Sequence, residues 1–323
     1  MHKWLVTGGA GYIGAHVARS LLSNNFEVVV VDDLSTGVKR KVPQDVLFKE
    51  LNIANTNELT SILKNEKIEG VIHLAAKKAV GESIENPSLY YKENIGGILS
   101  LLEAMNKANV KNIVYSSSAA VYGTPKVEKV TEESETYPES PYGETKLVGE
   151  WLLKADKAAR EINWISLRYF NVVGAGANEL GDTGVNNLVP LVFSAISQSK
   201  RPQIFGDDYP TKDGTCIRDY IHVVDLAQAH VLSALKILNN NYSEILNIGT
   251  GHGSSVKEVM ETIEKIVGKS INYEITNRRP GDPAQTVADI EKSKKLLNWV
   301  AEKKLDEMIS SAWNAWLFSN SLK

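Results

Sequence analysis

Tyr142 and Lys146 stand four residues apart in the run Ser140-Pro141-Tyr142-Gly143-Glu144-Thr145-Lys146. Ser140 suits a helix N-cap and Pro141 the first helical position, so this spacing puts phenol and ammonium on one helical face. A phenol that titrates at about 10 is a poor base at neutral pH. An adjacent ammonium and a helix N-terminus both favour its phenolate, and a tyrosine tuned in that way can take a proton from a substrate hydroxyl. Tyr and Lys at this spacing also occur on many solvated helix faces, so the assignment leans on a second feature. Ile113-Val114-Tyr115-Ser116-Ser117-Ser118 reads as a strand ending in three serines, and ligands of open α/β sheets gather at the carboxyl ends of strands. Ser118 is therefore expected as a third member that hydrogen-bonds the reacting hydroxyl or relays its proton. Its plainer role would be a strand-end cap.

Near the N-terminus, Gly9-Ala10-Gly11-Tyr12-Ile13-Gly14 joins an apolar run to an amphipathic one, and Gly8, Gly11 and Gly14 fit a related spacing equally well. Glycines there let the backbone turn tightly and approach a pyrophosphate at a helix N-terminus. Asp32 and Asp33 follow Val28-Val29-Val30-Val31, and a carboxylate at the end of the second strand accepts from a ribose 2′-hydroxyl. A 2′-phosphate would be repelled, so the expected cofactor is NAD rather than NADP. Oxidised nicotinamide would add a further charge favouring a Tyr142 phenolate.

These groups must be positioned by alternating strands and helices. Short β-branched runs (Leu5-Val6-Thr7, Val28 to Val31, Val71 to Leu74, Ile113 to Tyr115, Trp164 to Phe170) alternate with longer amphipathic stretches such as residues 12–23. That alternation predicts an α/β protein with a Rossmann-type, doubly wound parallel sheet. Val28 to Val31 shows no polar alternation, as expected of a strand covered on both faces. The pattern loosens over 171–221 and returns over 221–249, with a helix from about Asp225 to Leu238 and a strand at Ile245 to Ile248. We expect an NAD-binding domain from 1–171 plus 221–249, and a smaller, discontinuous α/β substrate domain from 172–220 plus 250–323, with a ligand cleft shared between them.

The 36 Lys and Arg against 39 Asp and Glu leave a formal charge of −3, with no basic stripe beyond Lys39-Arg40-Lys41. No nucleic-acid partner is expected, and an anionic ligand must be held by a few placed cations. One cysteine, Cys216, argues against a disulfide framework and a thiolate metal site, and the six histidines include no His-x-x-x-His pair; no metal is expected. No apolar run approaches the roughly 20 residues that span a bilayer. The first residues run straight into the glycine turn with no room for a signal peptide, so a cytoplasmic location is expected.

Thr7-Gly8-Gly9-Ala10-Gly11-Tyr12-Ile13-Gly14, Lys78-Ala79-Val80-Gly81-Glu82-Ser83, Tyr115 to Ser118, Val121-Tyr122-Gly123, Pro141-Tyr142-Gly143 with Lys146, Arg168-Tyr169-Phe170-Asn171, Asn186-Asn187-Leu188 and Arg218-Asp219-Tyr220-Ile221-His222-Val223 together resemble the UDP-glucose 4-epimerase family of extended short-chain dehydrogenase/reductases. The resemblance runs from Thr7 to about residue 317. It implies reversible, NAD-dependent epimerisation at C4 of a UDP-hexose through a 4-keto intermediate, in galactose and nucleotide-sugar metabolism. It implies that Tyr142 is the base, that Lys146 holds it and the nicotinamide ribose, and that Ser118 contacts the sugar. Gly8, Gly11, Tyr12, Ile13, Gly14, Asp32, Asp33, Leu34, Ser35, Thr36 and Gly37 match the pyrophosphate and adenosine site, with Asn52 and Ile53 beside the adenine. Leu74, Ala75, Ala76, Lys77, Lys78, Asn94 and Phe170 match further cofactor contacts. Asn171, Asn187, Leu188, Gln203, Ile204, Phe205, Arg218, Arg279-Pro280-Gly281-Asp282 and Thr286 fall where the family binds UDP-hexose. Arg218 and Arg279 suit a diphosphate clamp. The stretches around 88–108 and 142–161 resemble helices that pair in epimerase homodimers.

Two positions depart from the family pattern. Asn52 stands where Asp is usual, and an amide still accepts from an adenine amino group. Thr286 replaces a bulky Tyr of some members, which predicts room for a 2-acetamido sugar. Relatives that eliminate water from the oxidised sugar carry an acid and base just after the Ser or Thr of this strand, whereas this chain has Ala119-Ala120. Other readings are a uronic-acid 4-epimerase, a dehydratase, or a non-catalytic NAD-sensing regulator on the same fold.

Overall fold

The computed structural model describes residues 1–184, 187–238, 241–279 and 281–321. The alternation seen in the sequence becomes β1 (Lys3–Thr7), α1 (Tyr12–Ser23), β2 (Glu27–Asp32), β3 (Leu47–Glu50), α2 (Thr56–Asn65), β4 (Gly70–His73), α3 (Val80–Glu85), α4 (Pro87–Tyr90), α5 (Gly96–Ala108), β5 (Asn112–Ser118), α6 (Pro141–Arg160) and β6 (Asn163–Tyr169). The chain continues through β7 (Asn171–Val173), α7 (Leu188–Ser197), β8 (Gln203–Phe205), β9 (Ile217–His222), α8 (Val223–Leu238) and β10 (Ser243–Ile248). It ends with β11 (Gly253–Ser255), α9 (Val256–Val267), β12 (Glu274–Thr276), β13 (Gln285–Thr286), α10 (Glu291–Leu297) and α11 (Leu305–Ser321).

The chain divides into two compact units, one of Met1–Val121, Pro138–Arg168 and Ala227–Leu246, the other of Tyr122–Tyr137, Tyr169–Leu226 and Asn247–Lys323. The segment Tyr122–Tyr137, assigned to the NAD-binding domain by the sequence reading, groups instead with the second unit. Its backbone is the reason: Val130 N–H donates to Val287 O and Asp289 N–H donates to Val130 O, at 2.9 and 2.8 Å. The short stretches at 221–226 and 247–249 group with that unit too.

The first unit carries a seven-stranded sheet in the order β10-β6-β5-β4-β1-β2-β3. The pairs β2–β3, β1–β2, β1–β4 and β4–β5 are parallel. Strand order reverses at β1, between β2 and β4, and the carboxyl ends beside such a reversal are where ligands of this architecture collect. Burial explains the uninterrupted valines of β2, since Val28 to Val31 are all buried. α5 buries Ile98, Leu101, Leu102 and Met105, the spacing of a single apolar helix face, in a core with Leu59, Ile62, Val71 and Ile113.

In the second unit β9 pairs antiparallel with β11 and parallel with β13 and β7, while β8 pairs parallel with β12. Phe193, Ile204, Tyr220, Met260, Ile263 and Ile309 fill its core. Asp219, fully buried on β9, accepts from Thr250 N and Oγ1, Gly251 N and Ala288 N. A buried carboxylate so fully bonded fixes loops, as the physics of buried polar groups requires.

Candidate active site

The turn after β1 is built on missing side chains. Gly8 adopts φ +70°, and a Cβ there would lie 2.7 Å from Ala75 N; one on Gly14 would lie 2.1 Å from Gly8 O. Gly11, the N-cap of α1, brings no side-chain hydrogen bond to the first turn, so the donors at that end are left for an incoming anion. Gly8 and Gly14 have no room for a side chain in this turn, which suits the close approach of a pyrophosphate to the backbone.

Asp32 and Asp33 divide their work. Asp32, the last residue of β2, is buried and its carboxylate accepts from Ala10 N and Leu34 N, both at 2.9 Å; burial raises its pKa against those bonds. It braces the glycine turn with two of its acceptor positions. Asp33 is exposed just past the strand and accepts from Ser35 N and Asn52 Nδ2 at 2.9 and 2.8 Å. Burial pushes its carboxyl up, but the Ser35 and Asn52 bonds and the Lys77 charge outweigh this and hold it below the usual range. Asn52 also accepts from Ala54 N through Oδ1, which fixes its amide with nitrogen toward Asp33. Leu34 sits at φ 58°. Ser35 and Thr36 are exposed beside Gly37, where a Cβ would meet Asp32 Oδ1 at 2.5 Å. Ile53 packs in the core, with its Cδ1 filling the space beside Gly97.

The loop after β4 is tied on both sides. Thr7 Oγ1 pairs with His73 Nδ1 at 2.8 Å and accepts from Leu74 N at 3.2 Å and Ala75 N at 3.4 Å. Asn94 Oδ1 accepts from Lys77 N at 2.8 Å, and its Nδ2 donates to Lys77 O and to Thr145 Oγ1 on α6, both at 3.0 Å. Asn94 lies within the π-helical turn Tyr91–Ile95, a local widening common at functional sites. Leu74, Ala75, Ala76 and Lys77 are half-buried, and the exposed Lys78 places its ammonium 6.0 Å from the Tyr12 ring centre. Thr7 and His73 were not picked out as site residues from sequence; a polar pair at the ends of two buried strands was the available signal.

α6 starts as its sequence dictates. Ser140 Oγ accepts from Gly143 N at 3.2 Å, with Pro141 in the first turn. Tyr142 and Lys146 are both buried on the face toward β5. Lys146 Nζ donates to Ser116 O at 2.8 Å and lies 5.9 Å from the Tyr142 ring centre. Ser118 lies close enough to Tyr142 to favour its ionised form and accepts from Ala120 N at 3.1 Å, as a strand-end cap does. The expectation that Lys146 and the helix end favour a phenolate does not hold for the chain by itself. Burial raises the Tyr142 pKa, opposed only by the nearby Ser118 hydroxyl, and burial lowers Lys146 to about 7. Two polar groups withdrawn from water lose more by desolvation than they gain from each other at this distance.

In the second unit, Arg218 is committed to its own surroundings. Its guanidinium donates to Ile217 O at 2.9 Å and Pro283 O at 2.8 Å and pairs with the Asp282 carboxylate. Arg218 and Asp282 therefore form one neutral unit rather than two separate contacts. Arg279 is exposed with its guanidinium 3.7 Å over the Phe205 ring. Gln203 is exposed on β8, but Ile204 is core, so only its backbone is available to a ligand. Asn187 precedes α7, which begins at Leu188, and donates to Asp182 at 3.1 Å. Asn171 opens β7 beside buried Phe170. Thr286 is buried and its hydroxyl has no hydrogen-bond partner among the described residues. Gly281 has φ 74°; Asn186 and Pro280 lie outside the described residues.

Residues 4–249 match the NAD dependent epimerase/dehydratase family. The chain is 44% identical to the UDP-glucose 4-epimerase of Bacillus subtilis over 98% of its own length and 97% of that protein. It superposes with a TM-score of 0.94 on the crystal structure of UDP-glucose-4-epimerase from Stenotrophomonas maltophila with bound NAD and formylated UDP-arabinopyranose, at 37% identity over 99% of this chain and 100% of that one. The UDP-Glc/GlcNAc 4-epimerase of the human pathogen Campylobacter jejuni gives a TM-score of 0.87 at 36% identity, over 98% and 99% of the two chains. With the glycine turn and the buried Tyr–Lys pair in place, the chain belongs to the NAD dependent epimerase/dehydratase family.

Proposed function

We propose that this chain inverts C4 of a UDP-hexose, interconverting UDP-glucose and UDP-galactose through a 4-keto sugar with NAD held throughout. NAD, when bound, supplies the hydride acceptor and donor for C4 and, in its oxidised form, a positive charge beside the phenol. Gly8, Gly11 and Gly14 with the α1 N-terminus hold its pyrophosphate, and Asp33 its ribose. Tyr142 takes the proton of the 4-hydroxyl, assisted by the hydrogen bond from Ser118, and returns it to the C4 oxygen once the keto sugar has turned over. Lys146, anchored on Ser116 O, keeps the phenol and the ribose in place. Arg218, Asp282, Arg279 and Phe205 anchor the nucleotide while the hexose rotates.

The observation that carries this reading is the buried Tyr142–Lys146 pair seated at the carboxyl end of β5, on the sheet that bears the glycine turn. Ala119 and Ala120 occupy the 3₁₀ turn that follows Ser118 and offer no group to take a C5 proton, which disfavours a dehydratase. The small Thr286 with its unpartnered buried hydroxyl supports acceptance of 2-acetamido sugars as well. A second copy of the chain is inferred to pair on the α5 and α6 surface, where Leu99 and Trp151 are 49% and 56% exposed. A reducing, cytoplasmic setting suits a protein whose one cysteine is buried.

The test is product analysis of purified protein given UDP-galactose or UDP-N-acetylgalactosamine with no added cofactor. Both are expected to yield their 4-epimers, and Tyr142→Phe is expected to slow the reaction by about 10²- to 10⁴-fold. Near-normal turnover by Y142F would remove the base assignment, and turnover of UDP-galactose alone would remove the Thr286 argument. Retained NAD with no product from either sugar would favour the sensing regulator.

A further inference from the structure

α6 carries three buried polar residues on one stripe, Tyr142, Lys146 and Glu150, and each meets one of three successive residues of β5. Tyr142 lies beside Ser118, Lys146 Nζ donates to Ser116 O, and Glu150 Oε1 accepts from Ser117 Oγ at 2.7 Å. The first two contacts belong to the catalytic pair. The third has no place in the reaction, and it is the deepest. Glu150 also accepts from Arg168 Nε at 2.9 Å, Arg168 Nη2 at 2.6 Å and Ser166 Oγ at 3.2 Å, both serving residues lying on β6. Side-chain exposure is 1% for Glu150 and 3% for Arg168.

An ion pair taken this far from water contributes little net stability, and well-packed apolar residues of similar volume usually do as well or better. Its distinctive property is direction. Apolar packing tolerates a slide or a small rotation of the helix, whereas a carboxylate receiving four donors from two strands does not. The helix is also seated closely: a Cβ on Gly149 would lie 2.1 Å from Tyr115 Oη, and Lys146 Nζ sits 5.3 Å from the Tyr115 ring centre.

We propose that Glu150, with Arg168 and Ser117, is a positioning residue for the catalytic pair, fixing the register of α6 on β5 and β6 so that Tyr142 and Lys146 meet Ser118 and Ser116. This rests on the reading of Tyr142 and Lys146 given above. It assigns the buried pair to geometry rather than to stability, so the two are expected to separate by mutation.

The test uses the full-length, NAD-loaded protein with UDP-galactose. In the double variant Glu150→Met, Arg168→Met, the melting temperature is expected to equal or exceed that of the parent, with NAD content and KM unchanged. kcat is expected to fall by about ten- to a hundredfold, the scale on which small misplacements of catalytic groups act. The pH dependence of kcat should shift as well, which a loss of folded protein alone would not produce. Ser117→Ala, which removes a single donor and is the gentler probe should the double variant fold poorly, is expected to lower kcat about threefold at constant KM. A folded double variant, or S117A, with the kcat and pH profile of the parent overturns the assignment. A parent that turns over no UDP-hexose defeats the underlying epimerase reading instead, and this inference with it.

Discussion

At the end of β2 the carboxylate of Asp32 is committed to Ala10 and Leu34, while that of Asp33 faces outward with Ser35 and Asn52. The second is the more exposed of the two, and its part in holding the ribose is tested first. Asp33→Ala is expected to weaken NAD binding by about 1.5–3 kcal/mol, the range for a hydrogen bond to a charged group, and to reduce the preference over NADP. Titration of cofactor-stripped protein with each dinucleotide measures both effects. Unchanged NAD affinity would move the ribose contact elsewhere. The same logic separates Arg218 from Arg279. Arg218 is neutralised by Asp282 and holds Pro283, whereas Arg279 rests exposed on an aromatic ring.

Neighbouring strands are locked at their carboxyl ends by Thr7 of β1 and His73 of β4. Burial first, and the charge of Lys146 second, lower the His73 pKa to about 3. In the unfolded chain a histidine titrates at about 6.5, so between these values the unfolded state binds a proton that the folded state refuses. The stability associated with neutral His73 is complete above the unfolded value and is lost progressively as pH falls toward the folded one. Thermal melts are therefore expected to drop as pH goes from about 6.5 to 4, and less steeply for His73→Asn. Parallel slopes for parent and H73N would show that other groups set the acid limit. α6 is the other element whose placement matters, because its one buried stripe serves both chemistry and register.

For the molecule as a whole, a formal charge of −3 offers an anionic nucleotide no general attraction. In the function proposed above, UDP-hexose would be held by placed groups of the second unit and its proton moved by Tyr142 of the first. Trp151 is exposed on α6 next to buried Glu150, and the self-association proposed above is tested there. Sedimentation is expected to give twice the 35.5 kDa of one chain for the parent and a single-chain mass for Trp151→Glu. A parent that sediments as one chain would remove the dimer inference.

Local physics was legible in the residues themselves. Helix α1, the valine strand β2, the Ser140 cap and the Tyr142–Lys146 stripe follow from periodicity, capping and spacing, which act over a few positions of chain. The glycine turn was legible for the same reason, since its requirement for absent side chains is set by neighbours in sequence. What only the tertiary structure decided were the partners of polar and apolar groups far apart in the chain. Asp32 rather than Asp33 was taken by the glycine turn, Arg218 by Asp282, and Ile53 and Ile204 by the two cores. Tyr122–Tyr137 joined the second unit, and Glu150 found Arg168. In the chain by itself, burial also works against the expected tuning of Tyr142, because desolvation depends on everything packed around a group, and no spacing of residues along a sequence records it.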